Sequence, residues 1–559
     1  MQSSRTILAV VLSLAVLIAY YTWFAPPASK PPSSQPRQGA PPWNGPLGLG
    51  PTKPGQPVEP AEPGQLVPDP MGSPPAKTAP LREIIFENDQ IKAVFSTKGG
   101  VLKHWVLKNF HTGASVSSPL IDLLNHEGEG DAFQLSLEGG TVPSMPIYTI
   151  ESEKERELTL SWRSQEIEIR KKVVLLHSEV NPYILDYTLE IVNRGAEPVE
   201  LEPRLWLGRR QKPIKSNGGF FSFLKGPLDL YMPALFVDGK LKVETNWDKL
   251  PAKKEEIGKI YWSGLTDRYF LMGFIAREGT DGISVVYGKS ADGEVASSLS
   301  YGQVTLNPGE KLQKRFSAYL GPKKREELKP LGVNLEKSVD YGWFSFVAIP
   351  ILWLMIFFHK IIPNWGVAII VLTFFIKLLL HPVNKKAMQS MKAMQKLQPR
   401  LQELRTKYKD SKEKLNMEMM LLFKTHKVNP MGGCLPMLIQ MPVYIALYKV
   451  LYNAIELYHA PFFWFYRDLS APDPYLITPI LLGILMALQQ KLTPVASMDP
   501  AQQKMMMIMP LMFSAFMIFL PSGLVIYIMV NTIMSVIQQY MIHREMSFWD
   551  LLKKVRSKS

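Results

Sequence analysis

From residue 341 onward, the sequence is dominated by apolar stretches that each approach the length of a membrane-spanning helix. A hydrocarbon core of roughly 30 Å is crossed by about 20 apolar residues in an α-helix. The stretches cover residues 341–358, 366–381, 433–452, 475–490, 505–520 and 523–542. The sequence therefore predicts a membrane-embedded C-terminal region.

A further apolar stretch lies near the N-terminus. "TILAVVLSLAVLIAYYTWF", Thr6–Phe24, contains 19 residues without a charge. A cleaved signal peptide is the alternative, but the apolar core is longer than the roughly 7–15 residues of a signal sequence. Arg5 precedes it, which favours a cytoplasmic N-terminus. We predict a transmembrane anchor over residues 1–24, followed by a Pro/Gly-rich, disordered linker over residues 25–80.

Residues 81–330 have the pattern of an antiparallel β-sandwich. Short segments of alternating polar and apolar residues recur through this region, as in strands with one buried face. "EIIFENDQIKAVFSTKGGVLKHWVLKNF" predicts two strands joined at Lys98-Gly99-Gly100.

Charge indicates which apolar stretches cross the membrane. The segment Lys385–Val428 holds 12 Lys/Arg against four Asp/Glu, a net charge of +8, so the positive-inside rule places it in the cytoplasm. The β domain follows an anchor with a cytoplasmic N-terminus and lies outside. An odd number of crossings must connect the two, so one of the two intervening apolar stretches lies on the membrane surface. We assign this role to 341–358, because Pro350 breaks its middle and aromatic residues crowd its start.

The remaining apolar stretches cross the membrane in alternating directions. The predicted fold class is therefore mixed, with a β-sandwich domain and a helical membrane region. The C-terminal parts of the protein are an interfacial helix (331–362), a five-helix transmembrane core (363–545) that includes a cytoplasmic helical hairpin (384–428), and a basic cytoplasmic tail (546–559).

Lys377 is the one charge inside the predicted span 366–381. With a rise of about 1.5 Å per residue, it lies roughly 18 Å below Trp365, inside the inner half of the membrane. A charge at this depth costs a few kcal/mol and is a functional candidate by default. The plainer interpretation is a lysine that extends toward the cytoplasmic headgroups.

Polar residues in the other spans favour the functional interpretation. Each alone is more commonly an interhelical hydrogen-bonding residue, but together they allow a hydrophilic groove open to the cytoplasm. The predicted groove residues are Lys377, Thr373, Gln440, Ser514, Asn531, Thr532 and Ser535. No acidic residue lies in these spans to pair with Lys377. Methionines are frequent from Met505 to Met534 and suit either lipid contact or an adaptable apolar surface.

The composition argues against several other functions. The single cysteine, Cys434, excludes an intrachain disulfide and a paired-cysteine zinc site. The histidines of the β domain have no metal-ligand spacing, and no phosphate-binding loop is present. We therefore predict no catalytic residues, no metal and no cofactor.

Three segments identify a family. "VNPMGGCLPMLIQMPVYIALYKVL", "APFFWFYRDLSAPDPYLITPILLG" and "DPAQQKMMMIMPLMFSAFMIFLPSGLVIYIMVNTIMSVIQQ" closely resemble the YidC-type membrane protein insertases. The anchor, linker and β domain resemble the Gram-negative form of this family, which has a large periplasmic domain.

The resemblance implies an inner-membrane insertase and chaperone for newly made membrane proteins. Its groove has one positive residue, at the position of Lys377, which attracts acidic residues of the substrate. The apolar substrate segment then slides along a lipid-facing surface, for which the implied residues are Met441, Tyr444, Phe519 and Tyr527. Implied partners are nascent membrane proteins, the Sec translocon, the lipid bilayer, and the ribosome through the hairpin and basic tail.

One departure from the family pattern concerns Lys377, since the family position is most often arginine. Lysine keeps the charge but lacks the planar guanidinium fork. Two other functions remain open from sequence: an anion transporter or channel that uses Lys377 as its site, and an enzyme acting on sugars through the β domain. Against the transporter, no inverted repeat appears in the core.

Overall fold

The computed structural model describes residues 80–543 apart from 116, 125–129, 139–141, 144, 176–180, 212–229, 278–281, 410, 427–434, 464–465 and 493–499. The predicted anchor, almost all of the linker and the predicted tail lie outside the described residues. The described chain divides into two compact units. One contains the β domain together with residues 445–471, and the other contains residues 354–444 and the chain from residue 472 onward.

The first unit is built on antiparallel strands, which confirms the predicted antiparallel β domain. In chain order the strands are β1 Glu83–Glu87, β2 Ile91–Ser96, β3 Val101–His111, β4 Leu120–Asp122, β5 Gly130–Glu138, β6 Thr149–Lys154, β7 Glu157–Arg163, β8 Ile167–Leu175, β9 Ile184–Asn193, β10 Val199–Arg210, β11 Met232–Val237, β12 Lys240–Val243, β13 Lys254–Gly258, β14 Ile260–Thr266, β15 Phe270–Ala276, β16 Ile283–Lys289, β17 Glu294–Ser300, β18 Val304–Leu306 and β19 Lys311–Pro322.

These strands form two sheets. Within the described residues, a ten-stranded sheet has the order β1-β2-β3-β5-β10-β17-β16-β13, with β4 beside β3 and β18 beside β10. A nine-stranded sheet has the order β12-β11-β14-β15-β19-β9-β8-β7-β6. The indole N–H of Trp105 on β3 donates to the carbonyl of Leu320 on β19 at 2.8 Å, which ties one sheet to the other.

The start of the domain differs from the sequence prediction. The segment predicted as two strands forms three, because a turn at Asn88 separates β1 from β2. The Asn88 side chain accepts hydrogen bonds from the backbone N–H groups of Gln90 and Ile91, which is how asparagine stabilises a turn. The predicted turn at Lys98-Gly99-Gly100 is confirmed between β2 and β3, and both glycines have positive φ, +73° and +56°.

A buried lysine joins this turn to the opposite sheet. Lys171 on β8 is fully enclosed, and its ammonium donates to the carbonyls of Gly99 at 2.6 Å, Gly100 at 3.2 Å and Phe133 at 3.1 Å. Loss of hydration on burial lowers the pKa of Lys171 to about 7, although Asp131 acts in the opposite direction. Phe133 lies at an irregularity in the pairing of β5 with β10 and has a φ of +67°. Three carbonyls therefore converge on one ammonium between the sheets.

Helices follow the β domain. Their bounds are α1 Arg325–Leu328, α2 Ser345–Ile361, α3 Trp365–Lys396, α4 Gln398–Lys407, α5 Lys412–Thr425, α6 Leu435–Asn453, α7 Ile477–Leu492, α8 Pro500–Met517 and α9 Ser522–His543. Short 3₁₀ turns occupy Lys329–Leu331, Leu335–Ser338 and Ile455–Leu457.

Several described helices continue through a proline, and two of these prolines lie where the sequence predicted a break or an end. Helix α2 continues through Pro350, contrary to the predicted break, and α3 continues through Pro382 beyond the predicted end of the span at residue 381. Each proline lacks one N–H group and so leaves one carbonyl of its helix, four residues earlier, without its usual donor. One missing hydrogen bond in a long helix is tolerated in both places.

Two described helices are long and apolar enough to cross a membrane by length and composition, within Trp365–Met394 and Ser522–Met541. Shorter apolar helices cover Ser345–Ile361, Ile477–Lys491 and Ile508–Met517. In this unit α9 packs against α3 and α7, and α7 packs against α8. Gly483 permits the last of these contacts, because a Cβ there would lie 2.8 Å from the Ser514 hydroxyl.

Residues 455–463 pack on the β domain through a polar contact. The Tyr458 hydroxyl donates to the backbone carbonyl of His111 at 2.8 Å. The His459 ring lies with Nε2 3.2 Å from the same carbonyl and Nδ1 2.7 Å from the Asp468 carboxylate. Burial by itself would raise the pKa of Asp468, but hydrogen bonds from His459 and Ser470 outweigh it and hold the pKa below its ordinary value.

Acid is expected to loosen this segment. Because the folded-state pKa of Asp468 is depressed, its stabilising contribution is complete above the ordinary aspartate value of about 3.9 and is lost as the pH falls further. Asp468→Asn should reproduce the loss at pH 7 and speed amide exchange of residues 455–463 by about tenfold, since hydrogen bonds to a charged group are removed. Hydrogen exchange of the full-length protein, corrected for the intrinsic effect of pH, measures this. Asp248 is exposed, and Asp248→Asn is the control. If Asp468→Asn exchanged no faster than this control, the prediction would be contradicted.

Candidate functional site

Lys377 lies on α3 among apolar side chains. Lys377 itself is half-buried. Its apolar neighbours are exposed on the surface of the helical unit; they are Phe374, Phe375, Leu378 and Leu379. The Nζ of Lys377 donates a hydrogen bond to the hydroxyl of Ser535 on α9, at 2.7 Å. The lysine is therefore turned into the helical unit toward α9.

Ser535 continues the contact along its own helix. Its hydroxyl donates to the backbone carbonyl of Asn531 at 2.8 Å. The Asn531 side-chain amide then donates to the hydroxyl of Tyr444 on α6, at 2.5 Å. The hydrogen bonds of Ser535 and Asn531 thus join α9 to both α3 and α6.

Two tyrosines and a glutamine extend this region. The rings of Tyr444 and Tyr527 meet edge to face with centroids 6.0 Å apart. The Gln440 side-chain amide donates to the Tyr527 hydroxyl at 3.3 Å. We call Lys377, Ser535, Asn531, Tyr444, Tyr527 and Gln440 the polar network.

The other predicted groove residues make separate hydrogen bonds. Thr373 and Thr532 donate to carbonyls one turn earlier in their own helices, at 2.6 and 2.8 Å. Ser514 on α8 donates to the carbonyl of Pro479 on α7, at 2.6 Å. These three side chains are buried and have the interhelical or intrahelical role that polar residues commonly have in membrane helices.

The four residues predicted for the sliding surface separate into two groups. Met441 and Phe519 are exposed, at 40% and 41% of their full accessible area. Tyr527 is 1% exposed and Tyr444 is half-buried, and both have hydrogen-bonded hydroxyls. Tyr527 is therefore enclosed in the polar network and offers no surface to a passing segment, whereas Tyr444 contributes its hydroxyl to the network and keeps part of its surface accessible.

Sequence reasoning missed one polar pair. The Gln538 side-chain amide and Nδ1 of His381 lie 2.9 Å apart, again joining α9 to α3. The signal was available, since His381 follows Lys377 by four residues and Gln538 follows Ser535 by three, the spacings that align side chains along a helix.

The chemistry of the site is that of a cation without a counter-ion. Among the described residues, no carboxylate forms an ion pair with Lys377, and no group of three or more His, Cys, Asp or Glu side chains is placed to hold a metal ion. An ammonium whose partner is a hydroxyl can still bind a carboxylate from another molecule, because charged donors bind carboxylates more strongly than neutral groups do.

Family models match nearly the whole described chain. The YidC periplasmic domain matches residues 83–354, and the 60Kd inner membrane protein family matches residues 357–548. The first covers the β domain, and the second covers the helices that hold the polar network.

Curated relatives match over most or nearly all of their length. Membrane protein insertase YidC of Geobacter metallireducens is 34% identical over 557 residues, covering 97% of this chain and 98% of the relative. The same-named protein of Syntrophus aciditrophicus is 34% identical over 567 residues, covering 97% and 99%. That of Geobacter sulfurreducens is 37% identical over 461 residues, covering 81% and 84%. These names describe insertases rather than enzymes.

A solved structure, "Active YidC insertase crystal structure with the first transmembrane domain resolved", is also similar. It is 18% identical, with a TM-score of 0.36, and the match covers 83% of this chain and 95% of that one.

The β domain, the apolar helices and the two family models define an inner-membrane protein with a large periplasmic domain. The full-length relatives go further: the chain belongs to the YidC family of membrane protein insertases. The resemblance inferred from the three sequence segments is thereby confirmed.

Proposed function

We propose that this protein inserts newly made inner-membrane proteins, and helps them fold, through a hydrophilic groove that opens to the cytoplasm. Lys377 provides the positive charge of the groove and attracts an acidic residue in the hydrophilic segment that is translocated. The apolar segment that follows enters the lipid along the exposed side of the helices, where Met441 and Phe519 lie. No nucleotide or cofactor takes part.

The observation that carries this proposal is the hydrogen bond from Lys377 to Ser535 at 2.7 Å. The bond turns the ammonium toward α9, which supports a role inside the helical unit over simple extension to the headgroups. Because the predicted spans contain no acidic residue, the charge has no carboxylate partner within them. Retaining an unpaired charge at this depth costs a few kcal/mol, and attraction of an acidic guest is a function that requires it.

The proposed layout follows from charge and parity. An anchor (1–24) and a linker (25–80) lead to the periplasmic domain (81–330) and an interfacial helix (331–362). Five crossings then form the core (363–545), which includes the cytoplasmic hairpin (384–428), and the tail (546–559) remains in the cytoplasm. The exposed face of α2, with Phe346 and Trp353 more than half accessible, suits the outer membrane surface, as does the exposed Trp343 just before the helix.

The proposed partners are nascent membrane proteins, the Sec translocon, the ribosome and the bilayer. Helices α4 and α5 belong to the segment with a net charge of +8, which supports contact with ribosomal RNA or anionic lipid through charge attraction. Arg400 of α4 lies 3.0 Å from the His426 ring at the end of α5, so the two helices are also bridged by side chains.

Reconstitution tests the proposal. Full-length protein in liposomes should protect the translocated segment of a small test protein, carrying one aspartate, from added protease. Protein-free liposomes set the background. Protection no greater than this background would contradict the proposal. Leakage of small anions in the absence of any test protein would instead favour an anion transporter.

A further inference from the structure

We infer that Ser535 holds the ammonium of Lys377 at a fixed depth, and that this depth sets where along a guest segment the acidic residue must lie. The inference rests on the proposed function, because it concerns how the same charge meets its substrate. It makes Ser535 a positioning residue, which acts through Lys377.

The direction of the hydrogen bonds supports this role. A hydroxyl has one proton, and that of Ser535 is donated to the Asn531 carbonyl at 2.8 Å. The Ser535 oxygen can therefore only accept from Lys377, at 2.7 Å. The arrangement suits the charged ammonium, which has three donors and no acceptor. Among the described residues, one of these donors has a partner, so two remain for a guest carboxylate.

The position of Ser535 is itself fixed. Its helix is joined to α6 one turn earlier, where the Asn531 amide donates to Tyr444 at 2.5 Å. It is joined to α3 one turn later, where Gln538 meets His381 at 2.9 Å. Ser535 is buried at 9% exposure between these two contacts. The hydroxyl therefore cannot follow Lys377 if the lysine side chain swings.

Free lysine side chains near a membrane surface extend toward the headgroups. Without the Ser535 hydroxyl, Lys377 has no described hydrogen-bond partner and can sample a range of depths. An extended guest chain advances about 3.3 Å per residue. An ammonium at a fixed depth therefore binds an acidic residue best at one or two positions of the guest. A mobile ammonium reaches acidic residues at several positions but binds each of them more weakly.

Insertion into liposomes by the full-length protein tests this. The guests are a series with one aspartate at successive distances from the apolar segment, and one guest without an acid. For wild type we expect a sharp optimum. Ser535→Ala should lower insertion at the optimum by about tenfold, since a hydrogen bond to a charged group is lost, and should broaden the profile. The acid-free guest should insert as with wild type.

Two variants make the result specific. Ser535→Thr keeps a hydroxyl that can donate to the same carbonyl, so it should keep the optimum. Val536→Ala trims the half-buried, apolar side chain next to Ser535 on α9 and removes no hydrogen bond, so its profile should match wild type. Equal flattening by Val536→Ala would overturn the inference, because the effect would then be a general disturbance of α9.

The outcomes also separate this inference from the proposed function. If Lys377→Gln abolishes the preference for acid while Ser535→Ala keeps the wild-type profile, the positioning role is overturned and the charge-recruiting groove stands. A flat wild-type profile would likewise overturn it. If Lys377→Gln inserts every guest as wild type does, the recruitment of acid by charge fails, and the positioning role fails with it.

Discussion

Lys377→Gln is expected to lower insertion of a guest carrying one translocated aspartate by roughly tenfold to a hundredfold. A hydrogen bond between a charged donor and a carboxylate contributes about 1.5–3 kcal/mol, and each 1.4 kcal/mol corresponds to a factor of about ten. Glutamine keeps the length and polarity of the side chain, so the Ser535 hydroxyl retains a possible donor. A loss of insertion would therefore measure the contribution of the positive charge.

The charge-preserving variant is the informative comparison. Lys377→Arg should insert the same guest at least half as well as wild type, because attraction by charge does not require a particular headgroup. Arginine has a rigid fork instead of a compact ammonium, so a modest loss from altered contact with Ser535 is compatible with the proposal. A guest without acid should respond to neither variant.

A matched control removes a charge elsewhere on the same helix. Lys385 lies eight residues beyond Lys377 on α3 and is exposed. Lys385→Gln should leave insertion of every guest within about twofold of wild type, since an exposed charge is screened by water and salt. Equal losses for Lys385→Gln and Lys377→Gln would show that the overall charge matters rather than the site, and would contradict the role given to Lys377.

The large-scale architecture was predictable because it depends on patterns that extend over many residues. Each of the six C-terminal apolar stretches overlaps a helix of the structure. Alternation of polar and apolar residues likewise predicted antiparallel strands. The errors are local. One asparagine turn divided a predicted strand in two, and Pro350 did not interrupt α2. A single side chain decides such cases, and average tendencies do not resolve them.

The candidate site was predictable as a set of residues but not as a network. Sequence can show that several helices carry polar side chains at similar depth. It cannot show which hydroxyl faces Lys377, because that depends on the rotation of α9 about its axis. Tyr527 illustrates the difficulty, since an aromatic residue in an apolar helix looks lipid-facing, yet it is buried against Gln440.

Lys171 was missed although its pattern was visible. In the strand "IEIRKKVVL", Ile167, Ile169 and Val173 share one face, and a period of two places Lys171 on the same face. A lysine on a buried face needs partners. Its partners here are backbone carbonyls, one of them exposed by the positive φ of Phe133, and no sequence pattern shows them.

Replacing Lys171 by methionine is expected to destabilise the β domain by about 3 kcal/mol or more. Methionine fills a similar volume, but the carbonyls of Gly99, Gly100 and Phe133 lose their shared donor, and each unsatisfied buried group costs about 1–3 kcal/mol. The wild-type lysine bears a desolvation cost of its own, which the variant removes, so the net effect is smaller than the sum over three carbonyls. Amide exchange of β2, β3 and β5 in the full-length protein should accelerate by about a hundredfold.

The neighbouring lysine provides the control that makes this prediction decisive. Lys172 points to the opposite face of β8, where its ammonium lies 3.1 Å from Glu157 with 45% of its side chain exposed. Exposed ion pairs contribute about 0–1 kcal/mol, so Lys172→Met should change exchange in the same strands by less than about fivefold. Similar effects of the two substitutions would mean that the convergence of carbonyls on Lys171 does not stabilise the domain. A large effect confined to Lys171→Met would show that one ammonium secures the β2–β3 turn to the opposite sheet, since the two variants differ only in which face of the strand loses its charge.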